Sequence, residues 1–316
     1  MHLHMTIGSH RRPSATPSFT LTCRRPRWCP AQRPMAAASS SSQRDGPPAL
    51  QEMDASSPAY AAVRQTQAAV MQVFTDHLLL APASDGSANP GGKLEVASDD
   101  GSAAAAVQSY SGPGVRWLSS SALARPGMGF GGTIMQGFAD GSSDVPHFLL
   151  EQTLFGGKVL LSLVLWPRRD WMLDDAYLQR YYGTAPPGCE LTYNDLYNRT
   201  MAHPDWKLYQ SPVLVVKPMM SAAFAFTFPP TEENLLLAQE AATGVALLWV
   251  SFLKQRQADG TKEQADEGVQ LYDARYIQAV AEDPGNVMAA RLFGEQNTNA
   301  IVKAMHGDAT KEPLTF

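Results

Sequence analysis

Cysteine is nearly absent from this 316-residue chain: there are three, and two of them, Cys23 and Cys29, fall within the first 30 residues. That leaves Cys189, in the loop Pro186-Pro187-Gly188-Cys189-Glu190. One thiol can neither close an internal disulfide nor ligate an iron–sulfur cluster, and Cys189 reads as incidental rather than as a nucleophile. Histidine is sparse too. Beyond the N-terminal stretch only His77, His147, His203 and His306 occur, with no HxH or HxxxH pair, so no preformed zinc site is signalled. There is no GxGxxG after a strand, no GxxxxGK[ST] phosphate loop and no GxSxG elbow. The glycine-rich Gly127–Gly132 opens a strand rather than a helix and reads as a turn. The longest apolar runs, Val159–Trp166 and Val245–Leu253, are core-sized, so no membrane span is expected.

Acid is missing from the start of the chain. Residues 1–44 hold no Asp or Glu, but carry seven arginines among Ser, Thr, Pro and Ala. Basic, hydroxyl-rich and acid-free is the composition of an organelle transit peptide, and the continuous apolar stretch of a secretory signal is lacking. Pro13, Pro17, Pro26 and Pro30 interrupt any long amphipathic helix and favour a plastid address. Residues 1–35 are therefore expected to be a cleaved transit segment. Its loss removes six arginines and no acid, taking the net charge from −5 to −11. A chain that acidic is a poor binder of polyanions, so nucleic acid is not an expected partner.

Residues 36–57, rich in Ala, Ser and Gln, read as a linker, and 58–316 as a single domain. Helical periodicity runs from Pro58 to Leu80, followed by a Gly/Ser/Asp-rich insertion over 82–103 that is expected to be mobile. Strand-like runs then cover 104–110, 129–138, 146–155 and 158–166, the last two joined by the hairpin turn Gly156-Gly157. Asp174 is placed to cap a short helix through Tyr182; strand character returns over 212–228. Thr231 caps a long helix whose apolar stripe includes Leu235, Ala238, Ala242, Val245, Trp249 and Leu253, and further helices follow. Helix, antiparallel strands, then helices is an α+β order.

Within Phe148–Leu154, Glu151 interrupts an otherwise buried strand. A carboxylate there is costly without a partner or a task, because burial disfavours its charged form and raises its pKa. Alternation places His147, Leu149, Glu151 and Thr153 on one face, a setting suited to proton transfer, although a polar strand face open to water would carry the same pattern. Lys158, Arg168 and Arg169 form the densest basic group of the core. They suit a substrate propionate, an acidic protein surface, or an ordinary solvated turn.

Several uncommon blocks occur in order: Asp144-Val145-Pro146-His147-Phe148-Leu149-Leu150-Glu151, the run Leu163 to Trp166 followed by Pro167-Arg168-Arg169-Asp170, Asp175 to Leu178, Tyr181-Tyr182 and Arg291-Leu292-Phe293-Gly294. They resemble the signatures of red chlorophyll catabolite reductases. The resemblance is specific over 144–182, weaker but collinear over about 58–305, and absent from the transit segment. It implies an α-β-α sandwich, with a central, mostly antiparallel β-sheet flanked by helices on both faces, the fold of ferredoxin-dependent bilin reductases. It also implies a chloroplast stromal enzyme with no bound cofactor. Such an enzyme takes electrons from reduced ferredoxin and converts red chlorophyll catabolite, a linear tetrapyrrole, to primary fluorescent chlorophyll catabolite. It leaves open a homodimer and contacts with other chlorophyll-breakdown enzymes. The family's strand glutamate falls on Glu151, and its second carboxylate on Asp283, with Glu282 and Asp273 as competitors. Pro146, His147, Arg168 and Arg169 are expected to bind substrate, and no metal ligand is expected. His147 stands where the family usually has Asn, either as a second proton donor or as a hydrogen-bond partner of a pyrrole edge; Val164 stands near an acidic family position. A biliverdin-reducing enzyme and a non-catalytic tetrapyrrole-sequestering protein are the rival readings.

Overall fold

The computed structural model describes residues 46–83, 90–211, 217, 222–259, 267–281 and 283–307. The arginine-rich segment read as a transit peptide lies outside them, as does Glu282. The strands are β1 (Ala81–Pro82), β2 (Lys93–Ala97), β3 (Ala104–Gly112), β4 (Val115–Arg125), β5 (Phe130–Ala139), β6 (His147–Phe155), β7 (Lys158–Trp166), β8 (Lys207–Leu208) and β9 (Phe224–Phe228). The helices are α1 (Pro48–Ser56), α2 (Pro58–His77), α3 (Asp175–Leu178), α4 (Tyr193–Met201), α5 (Glu232–Asp259), α6 (Glu267–Ala281) and α7 (Pro284–His306). The strands form one sheet in the order β1-β3-β4-β5-β6-β7-β9-β8, with β2 also paired to β3, and every pair is antiparallel. Consecutive strands β3 to β7 lie side by side because short turns can join only antiparallel neighbours. At the β6–β7 turn, Gly156 and Gly157 both take positive φ, 55° and 71°, as a two-residue hairpin of that twist requires.

The two sheet faces differ in chemistry. Phe148, Leu150, Leu163 and Leu165 point to one side and pack under α2 and α5. There Phe74 meets Phe148 edge-on at 5.2 Å, and Trp249 lies 5.3 Å from Phe74. Trp249 sits so close to the sheet that a Cβ on Gly137 would lie 2.5 Å from its ring, which explains a glycine in the middle of β5. The other side carries Ser119, Gln136, Glu151 and Ser162 as cross-strand neighbours or near neighbours across β4 to β7. It is covered by α6 and α7. The helices therefore lie on both faces of an antiparallel sheet, as expected for the α-β-α sandwich.

Local caps follow the sequence. Ser57 accepts from Tyr60 N–H at the start of α2, Thr231 from Asn234 N–H at the start of α5, and Asp174 from Tyr177 N–H at α3. Four expectations need correction. Residues 48–56, read as linker, form α1, which buries Ala49, Leu50 and Met53 in the core. The insertion at 82–103 contains β2, paired over its full length to β3. β4 was not anticipated, because Ser119-Ser120-Ser121 breaks its apolar alternation. The apolar run around Val245 extends further than read: Glu232–Ala258 is long and apolar enough to cross a membrane, and half of its most apolar window is buried in the core.

Gly137→Ala is expected to destabilise the fold by about 1–3 kcal/mol through overpacking against Trp249, read as a lower midpoint in urea unfolding.

Candidate active site

Glu151 lies at the centre of the polar face, opposite Ile134 on β5 and Ser162 on β7. Its only hydrogen bond among the described residues is a long one, 3.4 Å, accepted from Thr153 Oγ1. Burial pushes its carboxyl up, the charge of Asp283 pushes it further, and Thr153 partly offsets both, leaving a pKa of about 7. Asp283 is the N-cap of α7, where it accepts from Gly285 N–H at 2.7 Å. Burial raises its pKa as well, against the pull of that bond. Measured by surface, Asp283 is exposed and Glu151 half-buried, yet protein atoms crowd both. The charge of Asp283 thus raises Glu151, while Asp283 itself is raised by burial.

Tyr276 of α6 joins this group. Its ring is held edge-on by Trp166 at 4.9 Å, Phe138 at 5.5 Å and His147 at 6.0 Å. Its phenol is raised first by burial, then by the charges of Asp283 and Glu151. Sequence reasoning missed Tyr276. Its one signal is its position, a helical turn after Asp273 on the same helix.

The other expected site residues lie elsewhere and do different work. His147 shares a strand face with Glu151 but stands four residues away, about 13 Å along the strand. It is buried; Nδ1 accepts from Ala139 N–H at 3.2 Å, so Nε2 carries the proton and donates to Asp273 at 3.0 Å. Burial and the nearby Arg168 hold its pKa down to about 4. With both ring nitrogens engaged, His147 is a neutral structural link and not the second proton donor considered from the sequence.

Arg168 is likewise engaged by protein groups. It is 1 % exposed and gives a two-pronged contact to Asp273, Nε to Oδ1 at 2.8 Å and Nη2 to Oδ2 at 2.7 Å. Nη1 donates to the carbonyls of Asp140 and Ser143. A guanidinium used in this way is withdrawn from both a propionate and a protein partner. Nor do the three basic residues cluster: Lys158 opens β7 and Arg168 follows its end, about 30 Å apart. Arg169 instead joins Arg180 and Arg256 around the buried Asp144, which also accepts from Tyr181 at 2.6 Å. Pro146 is buried, and its carbonyl accepts from Trp249 Nε1 at 2.8 Å.

Of the competing aspartates, Asp273 is unlike Asp283. Burial pulls it up, but the bonds from His147 and Arg168 and their charges outweigh burial and hold it well below the ordinary range. Held low in this way, it is a poor proton donor. The structure thus brings together Glu151, Asp283 and Tyr276, and sets Asp273, His147 and Arg168 beside them as a clamp. Among the described residues, no group of three or more His, Cys, Asp or Glu side chains gathers to hold a metal.

Residues 98–307 match the family model described as red chlorophyll catabolite reductase. The chain is 24% identical over 184 residues to the chloroplastic red chlorophyll catabolite reductase of Arabidopsis thaliana, an alignment covering 55% of this chain and 56% of that protein. It thus spans about half the length of the curated relative it matches. Its fold resembles that of phytochromobilin synthase from tomato, crystallised in complex with biliverdin, with a TM-score of 0.60 and 18% identity over 80% of this chain and 85% of that one.

The two aspartates are expected to separate on substitution. Asp273→Asn leaves the Arg168 charge buried without its counter-ion and costs about 3–5 kcal/mol in a urea melt. Asp283→Asn retains a good N-cap, shifts stability by less than about 1 kcal/mol, and lowers the Glu151 pKa from about 7, read by infrared titration of the carboxyl band.

Proposed function

The chain belongs to the red chlorophyll catabolite reductase family, and from that premise we propose that it reduces red chlorophyll catabolite, an open-chain tetrapyrrole, to primary fluorescent chlorophyll catabolite with electrons from reduced ferredoxin. The observation that carries this reading is Glu151 on the polar face of the sheet, its carboxyl raised by burial and by the charge of Asp283. Reduction across a methine bridge takes two electrons and two protons. A one-electron donor delivers the electrons in turn, so the conjugated pigment holds the first as a radical. The protein's part is to hold the pigment and to supply protons where the reduced system becomes basic.

Glu151 suits that part. With a pKa of about 7 it is half protonated at neutrality, so it can give a proton without holding it too weakly or too tightly. Asp283 faces the same space and either orders pyrrole N–H groups or gives the second proton. Its negative charge also keeps Glu151 protonated. Tyr276 offers a phenol to the same edge of the pigment. In this reading nothing but pigment occupies the cleft, and no cofactor is bound.

An acidic electron donor is supported by basic residues at the surface near Asp144. Arg180 and Arg169 show 44% and 29% of their side chains to solvent there. The arginine-rich N-terminus and the chloroplastic relative support work in the chloroplast stroma.

Glu151→Gln is expected to bind the pigment with little change and to lose at least about a hundredfold in its reduction. An anaerobic assay with pigment, reduced ferredoxin and a ferredoxin-reducing system reads this as loss of the blue-fluorescent product; unimpaired turnover sinks the role. Because the acid form of Glu151 is the active one, turnover in the native protein should decline as pH rises through about 7, roughly tenfold per unit beyond it. Turnover at fixed, subsaturating ferredoxin should also fall as salt is raised from about 0.05 to 0.3 M, since exposed ion pairs are screened over that range. Salt-insensitive rates would count against an acidic donor.

A further inference from the structure

α7 is interrupted at Gly294. There the backbone leaves helical torsions for a φ of 76° and a ψ of 161°, and the helix resumes beyond it. Glycine alone enters that region readily. A Cβ built at this position meets nothing within 4 Å, so no neighbour crowds the joint.

The two sides of the break are held very differently. After it, Thr298, Ile301, Val302, Ala304, Met305 and His306 are all buried. The Ala304 carbonyl accepts from Ser109 Oγ at 2.7 Å and from Trp117 Nε1 at 3.0 Å, which fixes this part of the helix on β3 and β4. Before the break, among the described side chains from Asp283 on, only that of Phe293 is buried. Ala289 and Leu292 are partly covered where they pack on the cluster that holds Ile301 and Met305. Val287 and Met288 leave 42% and 51% of their surface in water. A segment with few buried apolar contacts opens at low cost. Lightly held on one side and anchored on the other, an uncrowded glycine joint is a place for movement.

The lightly held side is the one that carries Asp283. Its carboxylate caps this half of the helix, accepting from Gly285 N–H, and its charge is felt at Glu151 and at Tyr276. Asp283 lies about 16 Å along the axis from Gly294, so a tilt of about 15° at the joint carries its carboxyl about 4 Å. We propose that residues 283–293 form a lid, hinged at Gly294, that settles on the tetrapyrrole over Glu151 and brings Asp283 to its pyrrole edge. The proposal rests on the reductase reading.

A ligand closes a lid only through contacts that it makes in the closed state alone. Here those contacts are the Asp283 carboxylate on pyrrole N–H groups, together with Val287 and Met288, which leave water for the pigment's apolar face. The open lid admits a substrate of this size. The closed lid keeps water from the one-electron-reduced pigment while it waits for its second electron.

Hydrogen exchange on the whole chain, with and without red chlorophyll catabolite, tests this with no substitution. In the free protein the amides of 286–293 are expected to exchange at least about tenfold faster than those of 298–306. Bound pigment slows the first set and leaves the second unchanged. Equal rates on the two sides of Gly294, or pigment that protects both sets alike or neither, overturn the lid. Gly294→Ala penalises the torsion of the joint without filling the site. It is expected to lower turnover at least about tenfold, changing kcat and KM together, with native circular dichroism. Native kcat and KM in the folded variant overturn the hinge; should the variant not fold, exchange in the unsubstituted protein decides. Pigment that does not bind sinks the reductase reading, whereas pigment that is bound and reduced without selective protection of 286–293 sinks the lid alone.

Discussion

The buried contact between Arg168 and Asp273 is the constraint on which the site depends. A guanidinium withdrawn from water needs a counter-ion with matching geometry, and the carboxylate of Asp273 meets it with both oxygens. Asp273 belongs to α6, whereas Arg168 follows the end of β7, so the contact ties a helix to the sheet at one point. His147 adds a second tie from β6 to the same carboxylate. With α6 fixed there, Tyr276 falls one turn further along, and the chain leaving α6 delivers Asp283 to the space in front of Glu151. A pair of residues engaged with each other thus fixes the spacing of Glu151, Tyr276 and Asp283.

At the clamp and beside Glu151 the same residue type is shifted in opposite directions, and environment alone decides between them. Asp273 receives two charged or polar donors and stays ionised. Asp283 receives one backbone N–H, and burial raises its pKa against that bond. The division extends across the sheet. One face is apolar and closed by Phe74, Phe148 and Trp249; the other carries serines, Gln136 and Glu151 under two helices. An antiparallel sheet allows this because its side chains alternate, so that a structural core and a chemical surface are built from the same strands.

Part of this was legible in the sequence. Glu151 stood out because a carboxylate within an apolar strand violates the local pattern, and the Gly156-Gly157 turn fixed the register that places it opposite Ser162. The strand block and the long Thr231-capped helix followed from periodicity. Other features lay beyond that kind of reading. Arg168 and Arg169 are adjacent in the chain but point to different carboxylates, and adjacency carries no information about burial. His147 and Glu151 share a face, yet alternation gives the face and not the distance along it. Choosing between Asp273 and Asp283 depended on how α6 lies on the sheet, a tertiary fact with no local signature. α1 went unseen because its Ala/Ser/Gln-rich composition suits a linker equally well, and β4 because its serines serve the polar face rather than a core.

Gly294 breaks α7 in two, with φ of 76° and ψ of 161°, and a Cβ built there meets nothing within 4 Å. The residue is therefore held by torsion alone, in a region that only glycine enters readily. The half before it carries Asp283 and the half after it is anchored through Ala304. In a map of mutational tolerance ranked by contacts or crowding, position 294 would be scored as permissive. In the folded chain it sets the angle between the helix that is anchored and the helix that presents a carboxylate, and in that sense belongs to the cleft without lining it.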